Sequence, residues 1–537
     1  METLYNMDRA TYASVATAVS VLAVPFWWWY QHQKFKRTFG EATYRPAFAP
    51  LSLPGMLYGL GLQFCWDQRL TVYRKTSREL ISMEPTVWGQ PILYTNSSEV
   101  IRQISGGGTS PWQKPPWSQE ANEYWGRNVL SVSGNEWRKH RKVLQPSFNP
   151  TLYEMVWKET SRFFNEMLVQ DNWPMVPGES KSFPRAQVFT QRVALCVVLS
   201  CAFGLPIKWQ EKTYAGDGFT LDDGVQFQSD NLLLVVYAPS WLFRLPFKRL
   251  QYVASATNAM RNWFNNAVTA KKAEIAKTLA ETDGDLDSES LKRDIFSRLT
   301  LASQLDSKSH LKDSEIIGNT WVMYFAGHDT TANVLAAAFC LLAAHKEEQE
   351  IVLEEINRLV KEFADVKLDF EVYDSLVKTR SAFVEALRLY PAGSILIRET
   401  KEDTVLRVPC GTGANGEVIE EAVPIPKGTP IVGDMIGVQY NARAFPQPEV
   451  FRPSRWYGVT TEDAYTAFSG GPRACIGRRF ALVEGVCFLA NVLRHYQVEP
   501  LLEDGETVEA WKTRVLGKAE IKMTLSIADS PLVFRRR

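Results

Sequence analysis

Cysteine and histidine are scarce in this 537-residue chain, which holds seven of one, six of the other and no C-x-x-C pair. That excludes a redox dithiol and a zinc cluster with ligands at short spacing. An odd cysteine count without regular spacing argues against a disulfide framework and for reduced thiols in a cytosolic environment. Bulk charge is absent too, since 60 Lys and Arg offset 60 Asp and Glu, and nothing in that balance calls for nucleic acid. No flavin or nicotinamide fingerprint and no internal repeat is found. Apolar bulk is plentiful by contrast: 17 tryptophans and 28 phenylalanines can supply a large core and an apolar ligand pocket.

One uncharged run stands out, Tyr12 to Tyr30, "YASVATAVSVLAVPFWWWY", close to the ~20 residues that cross a bilayer. It ends in an aromatic belt, Trp27 to Tyr30, followed by Lys34, Lys36 and Arg37, which mark that end as cytoplasmic. Bulky aromatics at the end of the run favour an uncleaved anchor over a signal peptide. The expected layout is a short lumenal segment over 1–11, a transmembrane helix over 12–30, a linker over 31–54 stiffened by Pro46, Pro50 and Pro54, and one catalytic domain over 55–537.

Long helical patterns dominate from about 150 to 390, and strand signals such as "VLRV" and "TPIVGDMI" cluster on the C-terminal side. The acidic stretch Glu281 to Ser290 reads as a connection between helices. "NLLLVVYAPSWLFRLPF", residues 231–247, is broken by Pro239 and Pro246; it reads equally as core or as an entrance lining that dips into a membrane surface.

The cysteine with the least usual surroundings is Cys475, in "FSGGPRACIGRRF" (468–480). Cys196, Cys201, Cys340 and Cys487 sit in apolar helical runs, as buried thiols do. Before Cys475, Gly470, Gly471 and Pro472 permit a tight turn. After it, Leu482, Val486, Leu489 and Leu493 form one apolar helical stripe. The cysteine therefore lies on a loop entering a helix N-terminus, which favours a thiolate. A nucleophile would want a histidine base, a redox thiol a partner and zinc more ligands, none of which is near. One thiolate as sole protein ligand fits haem iron, whose in-plane ligands come from the porphyrin.

Phe468, Gly471, Arg473, Cys475 and Gly477 match F-x-x-G-x-R-x-C-x-G without a gap, and here the chain resembles the cytochrome P450 monooxygenases. The resemblance implies Cys475 as axial ligand of haem b (iron protoporphyrin IX). It also implies a mainly α fold with small β-sheets.

Further motifs extend the likeness. A helix capped by Asp313 or Ser314 carries "AGHDTT" (326–331). The Thr330 hydroxyl can take the Ala326 carbonyl and bend or open the helix, making a groove for dioxygen. The family pattern A-G-x-D/E-T-T implies that Ala326 and Gly327 border the haem and that Asp329 and Thr330 deliver protons. Thr331 then supports the geometry and His328 packs or points outward. Glu385 and Arg388 stand at i and i+3 on one helix, and Phe451, Pro453, Arg455 and Trp456 spell F-x-P-x-R-W. In the family that arginine completes a structural triad, Glu385, Arg388 and Arg455; Ser454 replaces the acidic residue often found there. Trp137 and Arg141, at i and i+4, match W-x-x-x-R, and with Arg398 and Arg473 they are the implied partners of the haem propionates. Arg138, Lys139, Lys142, Arg478 and Arg479 offer a docking patch for an acidic electron donor.

The likeness is to the microsomal branch, with a fungal cast. It implies an endoplasmic-reticulum protein facing the cytosol, held to membrane lipid by its anchor and served by an NADPH-cytochrome P450 reductase. The reaction implied is insertion of one atom of O2 into a lipophilic substrate, such as a terpenoid of secondary metabolism. Rival readings on the same fold are a peroxide isomerase or dehydratase and a non-catalytic haem sensor; the Asp329–Thr330 pair argues against both.

Overall fold

The computed structural model describes residues 26, 29–40, 43–58, 61–106, 110–212, 214–216, 218–281, 294–302, 310–362, 368–413, 415, 417–459 and 466–537. The anchor expected over 12–30 lies outside them except for Phe26, Trp29 and Tyr30, which are exposed. No helix among the described residues is long and apolar enough to cross a membrane. The acidic connection also lies outside them beyond Glu281.

The chain divides into two compact units. One comprises the residues up to Ile104, Pro111–Gln113 and Ile395–Val438. It is built on a five-stranded sheet in the order Leu80–Met83, Ile92–Thr95, Pro430–Asp434, Ile395–Thr400, Trp112–Gln113. All pairs are antiparallel except Pro430–Asp434 against Ile92–Thr95. The expected "TPIVGDMI" strand is this buried central one, a run apolar enough to be covered on both faces. "VLRV" lies in Thr404–Thr412, which pairs with Val418–Ile425.

The other unit, Ser105–Ser110, Lys114–Ser394 and Gln439–Arg537, is mainly helical. Its principal helices are α1 (Gly134–Leu144), α2 (Pro150–Gln170), α3 (Gln187–Cys201), α4 (Leu221–Tyr237), α5 (Lys248–Glu281), α6 (Asp313–Ala344), α7 (Lys346–Glu362), α8 (Val377–Leu389) and α9 (Arg478–His495). Local chemistry sets their ends. Asn149 caps α2 by accepting from Leu152 N at 3.0 Å, with Pro150 at the first helical position. α6 starts at Asp313, so the cap differs from expectation: Lys312 is the N-cap, and Glu315 reaches back to accept from its N–H at 2.8 Å.

α6 is the central helix, buried on every side from Thr331 to Ala344. α9 is likewise buried beyond its expected stripe, with Val483, Cys487, Phe488, Ala490 and Val492 inside as well. A helix apolar all round is a core helix. Phe189 of α3, Phe339 of α6, Phe488 of α9 and Phe534 of strand Leu532–Arg536 meet in one aromatic knot with centroids 5.4–6.2 Å apart. That strand is central in a three-stranded sheet with Tyr496–Pro500 and Ser180–Phe183. Cys196, Cys201, Cys340 and Cys487 are buried as expected. The 231–247 stretch divides: Val235 packs on Phe227, Val253 and Ala256, whereas Trp241 and Phe247 are exposed.

Phe488 is fully buried and touches three other rings. Phe488→Ala is expected to cost about 3–5 kcal/mol, read as a lower urea midpoint. Val169→Ala at an exposed site should stay within about 0.5 kcal/mol.

Candidate active site

The cysteine loop is closed by its own backbone. Cys475 N donates to Phe468 O at 2.9 Å, and Ala474 N to Gly471 O at 3.1 Å across a 3-10 turn, Gly471–Arg473. Gly471 has φ +65°, a conformation that glycine adopts without a side-chain clash. Gly477 precedes α9, and its N–H points at the sulfur. Cys475 is exposed by accessible surface. Even so, desolvation is the largest influence on its thiol and pushes it up, with the Gly477 N–H and the Arg141 guanidinium acting the other way. The two are compatible where the residue is accessible while neighbouring groups crowd its thiol.

α1 lies against this loop. Arg141 Nη1 donates to Ala474 O at 3.2 Å and its Nε to Gln145 Oε1 at 3.3 Å. Arg473 donates to Val132 O at 2.7 Å, with its guanidinium 4.8 Å from the centre of the Trp137 ring. Burial lowers both cations, Arg473 to about 10. Neither meets a carboxylate among the described residues; their acceptors are carbonyls and one amide. Two half-buried guanidiniums without an anion fit a ligand that brings carboxylates, as haem propionates do. The donor set at the cysteine, one accessible sulfur facing a helix N-terminus, fits the iron. Arg398 belongs to the other unit, buried on strand Ile395–Thr400 with Nη1 donating to Ile397 O at 2.8 Å.

On α6 the Thr330 hydroxyl donates to Ala326 O at 2.7 Å, as its spacing predicts. The helix is nonetheless continuous from Asp313 to Ala344, so the expected opened turn is not seen. The face it presents there is small at three of its four positions. Met323, Ala326, Gly327 and Thr330 are only half-buried while the residues between them are buried, a single face at helical spacing. Gly327 also allows α3 to approach, since a Cβ there would stand 2.8 Å from Val198 Cγ2. His328 is buried and packs.

Asp329 and Thr330 are not hydrogen-bonded to each other. Asp329 is buried against the hairpin Ala519–Ile521/Leu525–Ile527, where its Oδ2 accepts from the Thr524 hydroxyl. Burial pushes its carboxyl up, and Thr524, Lys522 and Asn333 hold it back.

Glu385, Arg388 and Arg455 do come together. The fully buried Glu385 and Arg388 pair at 2.8 Å, and Arg455 Nε reaches Glu385 Oε1 at 3.2 Å. The carboxylate also accepts from Arg452 N at 3.0 Å and Trp456 Nε1 at 2.8 Å. Arg388 in turn donates to Gln439 O and Pro448 O, each at 2.7 Å. Trp456, Thr524 and Asn333 are the residues to which the sequence assigns no role: F-x-P-x-R-W carries a signal for the first, whereas neither "KMTLS" around Thr524 nor "TANVL" around Asn333 carries one.

The sequence model of the family described as Cytochrome P450 matches residues 49–525. Cytochrome P450 monooxygenase 124 of Postia placenta is 30% identical over 449 residues, covering 82% of each chain. A cytochrome P450 monooxygenase of Arthrobotrys oligospora is 27% identical over 72% of this chain and 71% of its own. Human cytochrome P450 4F11 is 25% identical over 76% of each.

Removing the charge at the centre of the triad leaves two arginines uncompensated. Glu385→Gln is expected to destabilise the protein by about 3–5 kcal/mol, measured by chemical denaturation.

Proposed function

The chain belongs to the cytochrome P450 family, whose members are haem-thiolate monooxygenases, and from that premise we propose that Cys475 is the residue that ligates the iron. The observation that carries this reading is the exposed Cys475 at the entrance to α9, beside two guanidiniums that meet no carboxylate among the described residues. When bound, haem supplies the reductive activation of O2 and the insertion of one oxygen atom into the substrate. The helix end and the Gly477 N–H stabilise negative charge on the sulfur. Arg141 and Arg473, with Trp137 stacked on the latter, hold propionates; Arg398 is assigned to the same task. The bond from Arg141 to Ala474 O ties α1 to the cysteine loop, and that from Arg473 to Val132 O ties the segment just before α1 to it.

Ala326, Gly327 and Thr330 form the oxygen-side wall, a half-buried face on which the Thr330 hydroxyl is the protic side chain. Thr330 delivers protons there and Asp329 resupplies them. Glu385, Arg388 and Arg455 keep the loop in shape for haem incorporation, and Phe468, Gly471 and Gly477 serve the turn itself. A peroxide isomerase or dehydratase would need no proton relay, and a haem sensor neither relay nor reductase; the intact pair favours the monooxygenase.

The substrate is lipophilic, of the terpenoid, fatty-acid or polyketide kind. A separate NADPH-cytochrome P450 reductase supplies electrons, docking on the basic residues around α1 and Arg478–Arg479. Residues 12–30 anchor the protein in the endoplasmic-reticulum membrane with 1–11 lumenal, 31–54 linking and 55–537 acting as one catalytic domain in the cytosol. The exposed Trp241 and Phe247 support contact of the 231–247 stretch with lipid.

The test is the carbon monoxide spectrum of the reduced protein. The wild type should give the thiolate-type Soret band, and Cys475→Ala should lose it; an unchanged band would assign the ligand elsewhere. In reductase-driven turnover, Thr330→Ala is expected to lower product per NADPH about tenfold or more, with the missing electrons recovered as hydrogen peroxide.

A further inference from the structure

Asp329 occupies the position that the proposed function gives to proton resupply, yet its side chain turns away from Thr330 toward the C-terminal hairpin. There the hydrogen atoms can be assigned from the partners alone. Asn333 Nδ2, one turn along α6, donates to Thr524 Oγ1 at 3.0 Å. An amide NH2 can only donate, so the Thr524 hydroxyl receives it on a lone pair and directs its own hydrogen to Asp329 Oδ2. The order of donation is Asn333, Thr524, Asp329, and its terminus must accept. A hydroxyl donated to a carboxyl oxygen favours the ionised form over the neutral one.

All three side chains are nearly sealed from solvent, at 5%, 8% and 7% exposure for Asn333, Thr524 and Asp329. Thr524 itself is fixed by its turn. Its carbonyl accepts from Lys522 N at 3.2 Å, the next residue's N–H bonds Ala392 O at 3.0 Å, and the strands either side pair in register from Ile521↔Leu525 to Ala519↔Ile527. The charged group facing Asp329 from the hairpin is Lys522, whose ammonium is held 2.7 Å from Asp230 of α4 and 4.0 Å from Glu520.

We propose that Thr524 is a positioning residue for the monooxygenase reaction, holding the Asp329 side chain in one rotamer as an ionised acceptor. This rests on the reading that Asp329 resupplies protons to the oxygen-side wall. A carboxylate kept ionised can take a proton from the outside and pass it inward; one that stays protonated by burial cannot be recharged. Burial pushes the Asp329 carboxyl up, and the Thr524 hydroxyl is the first of the groups that oppose it. Deleting the hydroxyl therefore removes both the rotamer lock and the largest opposing influence.

The experiment is infrared spectroscopy of the purified holoenzyme at neutral pH, in the carboxylic C=O stretching region, with no substrate needed. The wild type minus Asp329→Asn should show no protonated-carboxyl band. Thr524→Val, which keeps the side-chain shape, should gain one, and it should vanish in Thr524→Val/Asp329→Asn. Thr524→Ser restores the hydroxyl and should return the wild-type spectrum, which a loss of packing alone would not do. A Thr524→Val spectrum identical to wild type, or a band already present in the wild type and lost in Asp329→Asn, overturns the proposal. The resupply reading fails separately, if Asp329→Asn leaves product per NADPH unchanged in reductase-driven turnover.

Discussion

The buried Glu385 carboxylate is the point on which the catalytic half of the molecule is hung. Five donors converge on it: two nitrogens of Arg388, the side chains of Arg455 and Trp456 and the backbone of residue 452. Without them a fully buried charge would be prohibitively expensive. With them it ties α8 to the loop around 447–456, and the connections continue. Arg388 holds Gln439 O; Gln439 Nε2 donates to Thr466 Oγ1 at 3.1 Å; Thr466 O accepts from Ser469 N at 2.6 Å; Phe468 O accepts from Cys475 N. A hydrogen-bonded path thus leads from a charge deep in the fold to the sulfur at its functional edge.

Charge is buried in two opposite ways within this one unit. Around Glu385 opposite charges are matched and donors saturate the carboxylate. Beside the cysteine loop Arg141 and Arg473 are given carbonyls and an aromatic face but, among the described residues, no counter-ion. The first arrangement is complete in the polypeptide and stabilises it. The second leaves stabilisation to be gained on binding, since a partner that prefers the folded state adds its binding energy to folding.

What could be read from residue order follows from how local each feature is. The turn before Cys475, the Thr330 bond to Ala326 and the Glu385–Arg388 pair all join residues within one loop or one helical turn, and their spacing gives them away. Arg455 and Arg473 were reached only through the family likeness, because their partners lie far along the chain. Asp329 shows where such reading ends. Its residue type and position were plain, but its hydroxyl partner is 195 residues on, in an ordinary run of hairpin residues. The stripe on α9 was too narrow for a similar reason: burial on its other faces comes from α2 and α8, which no periodicity within the helix announces. At Gly327 it is likewise a distant neighbour, Val198, that claims the space of a side chain.

The unbroken course of α6 bears on how the enzyme can diversify. From Thr331 onward this helix touches only protein, so the small-residue face just before it is mounted on a segment that opens last when the fold loosens. Such a wall offers a fixed template to whatever lies against it. Accommodation of differently shaped molecules, in this chain or in descendants of it, must then fall to segments with freedom to move.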